Sequence, residues 1–105
     1  MEFPEEIFEK VSEDEEGFLA LSAVAITFLN KGPFKAEDFE KTYEELAAVL
    51  EINSHLNTDN ILDVFIRAGL LIKEENNDVY MMPSAVFAKV IEFVRRRLAV
   101  MVLSL

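Results

Sequence analysis

Apolar residues recur at helical spacing along most of the chain and predict five helices. In each stretch the apolar positions follow one another three or four residues apart, which places them on one face of a helix. The predicted helices cover about residues 4–11, 12–30, 36–51, 58–68 and 84–105. In the third helix Thr42 is an alternative start, but a continuous apolar stripe through Phe39 favours the longer helix.

The second predicted helix is apolar on almost every side and carries the sequence FLALSAVAITFL at residues 18–29. Ser12 followed by Glu15 is a capping-box pattern and predicts the start of this helix. Gly32 and Pro33 predict its end. Because the helix has no wide polar face and is too short to span a bilayer, we expect it at the centre of the core.

Residues 69–83 interrupt the helical spacing and predict a β-hairpin. Gly69 is suited to ending the preceding helix, and Pro83 to ending the hairpin. Between them the pattern indicates a buried strand that begins at residues 70–72, a polar turn at 75–78 and a returning strand at 79–82. A short additional strand could come from Phe34 and Lys35.

Composition indicates a single small domain across residues 1–105, with an acidic leading helix in residues 1–16. The chain has no cysteine, which excludes a disulfide framework and fits a cytoplasmic, reducing compartment. The acidic N-terminal stretch is unlike a signal peptide, and we expect no membrane association.

The formal net charge of −10 is unevenly distributed. Residues 1–16 have a net charge of −7, residues 17–57 and 58–82 of −3 each, and residues 84–105 of +3. Acidity therefore covers the N-terminal stretch and the helix and hairpin at 58–82, whereas the last helix is basic.

Candidate catalytic groups are few. His55 is the single histidine and lies in a predicted turn with no nucleophile beside it, where a surface role is the more common one. The acidic pairs are consecutive in sequence and point apart, so a solvated acidic face explains them better than a metal site or an acid–base pair. The sequence contains no phosphate-binding or zinc motif. We expect no enzymatic activity and no cofactor or metal.

The segment IRAGLLIKEENNDVYMMP, at residues 66–83, resembles the winged-helix superfamily. A hydrophobic residue, Gly69 and Leu70 are followed by a polar turn and a returning strand, and the resemblance extends over about residues 17–105. It implies a mainly helical fold with a small β-hairpin wing, a winged helix-turn-helix with an extra N-terminal helix and a long C-terminal helix. It says little about the ligand.

In winged-helix proteins that bind DNA, the exposed side of the recognition helix enters the major groove. The resemblance assigns that surface to Thr58, Asp59, Asn60, Asp63 and Arg67, and the wing to Lys73, Glu74, Glu75, Asn76, Asn77 and Asp78. Carboxylates at these positions repel phosphates. The chain is therefore expected to act as a protein-interaction module, for example in transcription or replication machinery. The alternative is a DNA-binding transcriptional regulator that acts as a homodimer.

The last helix carries more apolar surface than one core needs. Its heptad-like seam predicts a homodimer interface and comprises Phe87, Ile91, Val94, Leu98, Met101 and Leu105. A second row lies beside it and comprises Val86, Val90, Phe93 and Val100. A single wide face covered by the leading helix is the alternative. The cluster Arg95, Arg96 and Arg97 is a candidate phosphate contact, but pairing with the acidic leading helix is the favoured role.

Overall fold

The computed structural model describes residues 5–53 and 57–103. Within these ranges the chain is mainly helical and carries a small two-stranded antiparallel sheet after the fourth helix. In chain order the elements are α1 (Glu5–Val11), α2 (Glu15–Lys31), α3 (Ala36–Val49), α4 (Thr58–Arg67), β1 (Ile72–Glu74), β2 (Val79–Met81) and α5 (Ser84–Leu103). The five predicted helices and the hairpin are confirmed, and within the described residues their ends differ from the predicted ones by at most three residues. His55 lies outside the described residues.

Helix α2 forms the centre of the core, as its apolar sequence predicts. It is buried continuously from Gly17 to Ala25. Its two buried hydroxyls donate to carbonyls one turn earlier in the same helix: Ser22 Oγ to Phe18 O at 2.9 Å and Thr27 Oγ1 to Ala23 O at 2.6 Å. Because these polar groups are satisfied within the helix, α2 can be surrounded by apolar neighbours at little cost.

The predicted capping role of Ser12 is wrong. The N-cap of α2 is Asp14, whose Oδ1 accepts a hydrogen bond from the Gly17 N–H at 2.6 Å. Ser12 instead follows α1, where its N–H donates to Phe8 O at 3.0 Å and its side chain is fully buried. The physical reason is the tight turn from α1 into α2, which needs the first three residues after Val11 for the change of direction.

Helix α3 is continuous from Ala36, which confirms the longer of the two predicted helices, but it ends two residues earlier than predicted. Glu51 adopts a positive φ of 56°, a left-handed conformation that ends the helical path. Helix α4 begins as predicted, and the side chain of Asn57 caps it by accepting from the N–H groups of Asp59 and Asn60. Gly69 follows with a φ of 81°, as its predicted role in ending the helix requires.

Strands β1 and β2 pair antiparallel, with Ile72 opposite Met81 and Lys73 opposite Tyr80. Leu70 and Leu71 are buried as predicted but lie before β1 rather than in it. On the other side of β2, Phe34 and Tyr80 exchange two backbone hydrogen bonds of 2.9 and 2.7 Å. The predicted additional strand is therefore reduced to a single residue pair.

Helix α5 packs across the core through two aromatic contacts. The Phe93 ring lies 5.6 Å from that of Phe8 in α1, and the Phe87 ring lies edge-on, 5.2 Å from that of Phe28 in α2. Ser84 is the first residue of the helix, as predicted. The buried α5 side chains are Val86, Val90 and Val94.

This packing places much of the predicted dimer seam against the chain's own core. Val94 is buried, and Phe87, Ile91 and Leu98 are partly buried against the core. The side chain of Met101, and Leu105, lie outside the described residues. The sequence pattern could not separate the two rows of apolar residues, because both follow helical spacing on adjacent sides of one helix.

Candidate functional site

Helix α4 has one buried and one exposed side. Leu62 and Phe65 are fully buried, whereas Asp59, Asn60, Asp63 and Arg67 are exposed, as the sequence predicts for the recognition-helix surface. The exposed apolar residue Val64 lies on the same side. The side chain of Thr58 lies outside the described residues.

The hairpin presents its polar turn to solvent: residues 73–78 are all exposed. Its side chains pair with one another, since Lys73 Nζ lies 3.2 Å from Asp78 Oδ1 and Asn77 Nδ2 donates to Glu74 Oε1 at 2.8 Å. Asp78 has a positive φ of 52°, a conformation that aspartate tolerates better than most residues. The positive charge of Lys73 is thus paired with a carboxylate of the same hairpin.

The electrostatic surroundings of Lys73 link the hairpin to α4. The hydrogen bond to Asp78 raises the pKa of Lys73 above its ordinary value, and the nearby Tyr80, Asp78 and Asp63 groups add to the rise. The Lys73 Nζ also lies 5.7 Å from the centroid of the Tyr80 ring. Because the charge of Asp63 contributes to this rise, we consider the exposed side of α4 and the hairpin together as one candidate surface.

We call this the α4–hairpin surface. Its acidic residues are Asp59, Asp63, Glu74, Glu75 and Asp78, and its basic residues are Arg67 and Lys73. With Lys73 paired to Asp78, Arg67 is the remaining basic group facing four carboxylates. The electrostatic potential of this surface is therefore negative locally, and not only in the sum over the whole chain.

The basic cluster on α5 has several contacts. Arg96 Nη2 lies 3.3 Å from Glu92 Oε1 in the same helix, and the Arg97 guanidinium lies 4.9 Å from the centroid of the Phe18 ring. Arg96 and Arg97 also share a shallow pocket with Glu9 of α1. Arg96 and Arg97 thus lie near Glu9 of the leading helix, while Arg95 is exposed. Their pairing with the leading helix stays a prediction.

Two further observations concern the described residues alone. In residues 5–53 and 57–103, no three His, Cys, Asp or Glu side chains are grouped so as to hold a metal ion. None of the helices in these ranges combines the length and the apolar content needed to cross a membrane.

Sequence reasoning missed the exposed apolar residues of this region. Ile72 is 51% exposed and Val64 is 43% exposed, although the pattern had indicated a buried strand start at Ile72. The alternation expected of a strand with one buried side would have been a signal, but the run of three apolar residues at 70–72 hides it. The outward-facing backbone groups of β1 cannot be predicted from the pattern of apolar and polar side chains.

Comparison of the chain with models of known protein families, with characterised proteins and with solved structures finds no match.

Proposed function

We propose that the chain is a non-enzymatic winged-helix interaction module whose α4–hairpin surface binds a basic surface of a partner protein. The order of elements supports the winged-helix part of the proposal. Three helices are followed by a hairpin, and Phe34, between α2 and α3, pairs with β2 at the position of a short first strand. A leading helix and a long last helix are added to this arrangement.

The observation that carries the proposed function is the Lys73–Asp78 ion pair, with its N–O distance of 3.2 Å. A wing that binds DNA needs free cations to displace the counterions of the phosphates. Here the hairpin lysine is paired, and the exposed carboxylates of Glu74 and Glu75 stand beside it. These negative charges attract a basic protein surface, whereas they repel the phosphates of a nucleic acid.

A DNA-binding regulator is the second candidate, because Asn60 and Arg67 are both exposed on α4. Asparagine and arginine are the side chains best suited to adenine and guanine edges in the major groove. Asp59 and Asp63 lie on the same side of the helix and oppose the approach of the phosphate backbone.

Fluorescence anisotropy with a pool of random duplex DNA separates these two candidates. At about 50 mM and about 200 mM salt we expect no appreciable binding by the wild-type protein. Binding that weakens steeply with salt and is abolished by Arg67→Glu would establish the regulator instead. The matched control is Lys41→Glu, which makes the same change of charge on the exposed side of α3.

We place the interface of the proposed homodimer at the C-terminal end of α5. Leu103 is 86% exposed, and Val100, about one turn before it, is 63% exposed. Exposed apolar side chains at successive turns of one helix are typical of a helix that packs against a partner. Since Val94 is buried in the chain's own core, the proposed interface is limited to the last turns of the helix.

A further inference from the structure

Strand β1 is an edge strand. Strand β2 pairs with β1 on one side and, through Tyr80, with Phe34 on the other, so the order across the sheet is β1, β2, Phe34. All three residues of β1 are exposed. Among the described residues, no chain segment pairs with the outer side of β1.

The register determines which backbone groups of β1 face outward. The Tyr80 N–H and C=O are both bonded to Phe34, so they point away from β1. The pair of Lys73 with Tyr80 is therefore the non-hydrogen-bonded type, and the bonded pairs are Ile72 with Met81 and Glu74 with Val79. It follows that the N–H and C=O of Lys73 point to the open side of the sheet.

We propose that β1 binds an extended, basic segment of a partner protein as an additional strand, through the outward N–H and C=O of Lys73. This inference rests on the proposed function and specifies its mode of binding. In strand addition, backbone hydrogen bonds supply affinity and alternate side chains supply specificity. Ile72 and Glu74 lie two residues apart and project from the same side of the strand.

The two side chains define the segment that fits. The residue that pairs with Lys73 would be flanked by an apolar residue next to Ile72 and a Lys or Arg next to Glu74. The exposed carboxylate of Glu75 follows Glu74 directly and adds to the negative charge at this end of the strand. A second copy of this chain is a poor occupant, because antiparallel pairing through Lys73 would set the two lysines opposite each other, and parallel pairing would align the acidic residues of the two hairpins.

The test uses nine-residue peptides of Thr and Lys with a central Arg–Thr–Val or Val–Thr–Arg, the two orders that suit antiparallel and parallel addition. Binding is measured by titration of the isotope-labelled protein in NMR. The diagnostic variant is Lys73→Pro, which removes the outward N–H together with the lysine charge, and proline is tolerated at an edge position whose N–H faces solvent. Lys73→Gln is the matched control, since it removes the same charge and keeps the N–H.

We expect one peptide order to bind the wild type, to shift the amide signals of residues 72–74, and to lose about tenfold in affinity with Lys73→Pro but less than about twofold with Lys73→Gln. For the antiparallel order, N-methylation of the central threonine of the peptide, which leaves the protein unchanged, should cause a comparable loss. For the parallel order the methyl group is placed on the residue that follows the threonine, because that N–H is the one that faces the Lys73 C=O. The N-methylated peptide tests the same hydrogen bonding if the Lys73→Pro variant fails to fold.

Equal affinities with and without the N-methyl group would overturn strand addition, as would the absence of binding by both peptides. An octalysine peptide separates this failure from that of the proposed function. If octalysine binds the wild type and is released by Glu74→Lys with Glu75→Lys, the acidic surface still recognises basic segments. If octalysine fails as well, both proposals are wrong.

Discussion

The Asp38 carboxylate lies 2.8 Å from the Nζ of Lys31 and joins the first turn of α3 to the end of α2. The same oxygen, Oδ2, accepts the Lys35 N–H at 2.9 Å. The hydrogen bond from Lys31, followed by the one from Lys35, lowers the pKa of Asp38 below its ordinary value of 3.8. The ionised carboxylate therefore contributes to the connection between the two helices that carry the core.

A group whose pKa is lower in the folded state stabilises the fold above its unfolded pKa, and this contribution is lost as the pH falls through the folded value. We expect Asp38→Asn to lower the free energy of unfolding by about 0.5 kcal/mol at pH 7, because the pair is partly exposed. Urea titrations should show this difference disappearing in acid, below the ordinary pKa. A difference that persisted at pH 2 would contradict the assignment, and Glu40→Gln on the exposed side of α3 is the control.

Gly17 lies where the chain turns from α1 into α2, and it has no room for a side chain. A Cβ at this position would overlap the carbonyl oxygen of Val11. We expect Gly17→Ala to lower the free energy of unfolding by about 2–3 kcal/mol, as measured by urea denaturation.

Gly32→Ala is the comparison for this variant. Its Cβ would meet no atom within 4 Å, but the φ of 78° is unfavourable for alanine, so a smaller loss of about 1 kcal/mol is expected. If Gly17→Ala lowered the free energy of unfolding no more than Gly32→Ala does, the close approach of α1 to α2 would be wrong.

Ser12 offers a route to higher stability. Its hydroxyl is fully buried, and Oγ has no hydrogen-bond partner among the described residues. Replacing the side chain in Ser12→Ala removes an unsatisfied polar group, and we expect the free energy of unfolding to rise by about 1 kcal/mol. Ser22→Ala is the matched control and should instead be neutral or destabilising, since the Ser22 hydroxyl is bonded to Phe18 O. The melting temperatures of the two variants are compared with that of the wild type. If both changed in the same direction, this explanation would be refuted.

The proposed dimer can be tested with a pair of exposed leucines. Sedimentation equilibrium at micromolar concentration should show a wild-type dimer that Leu103→Asp dissociates. Leu29→Asp introduces the same charge at a leucine that is 62% exposed at the end of α2, and it should leave the dimer intact. A monomeric wild type would rule out the homodimer.

The helices and the hairpin were predictable because they depend on local spacing and on single residues such as Gly69. The start of α2 was not, because Ser12 and Asp14 are both good N-cap residues and only the packing of α1 decides between them. The burial of Val94 likewise depends on which side of α5 meets the core.

For the candidate surface, its residues and its negative charge could be predicted from the sequence. The pairing of Lys73 with Asp78 could not, since it depends on the positive φ of Asp78, which brings the two side chains together across the turn. The outward backbone of Lys73 depends on the distant pair of Phe34 and Tyr80, which no local pattern specifies.

Helix α5 continues for five residues beyond Leu98, to Leu103. Leu98 is its last described side chain packed against the core, and residues 99–103 continue for about 7.5 Å at the helical rise. Amide hydrogens there are released by fraying of the helix end, whereas those near Val90 require much larger opening of the structure. Hydrogen exchange should therefore slow down from the last turn of α5 towards its centre, and a partner bound at this end would be detected as a flattening of that gradient.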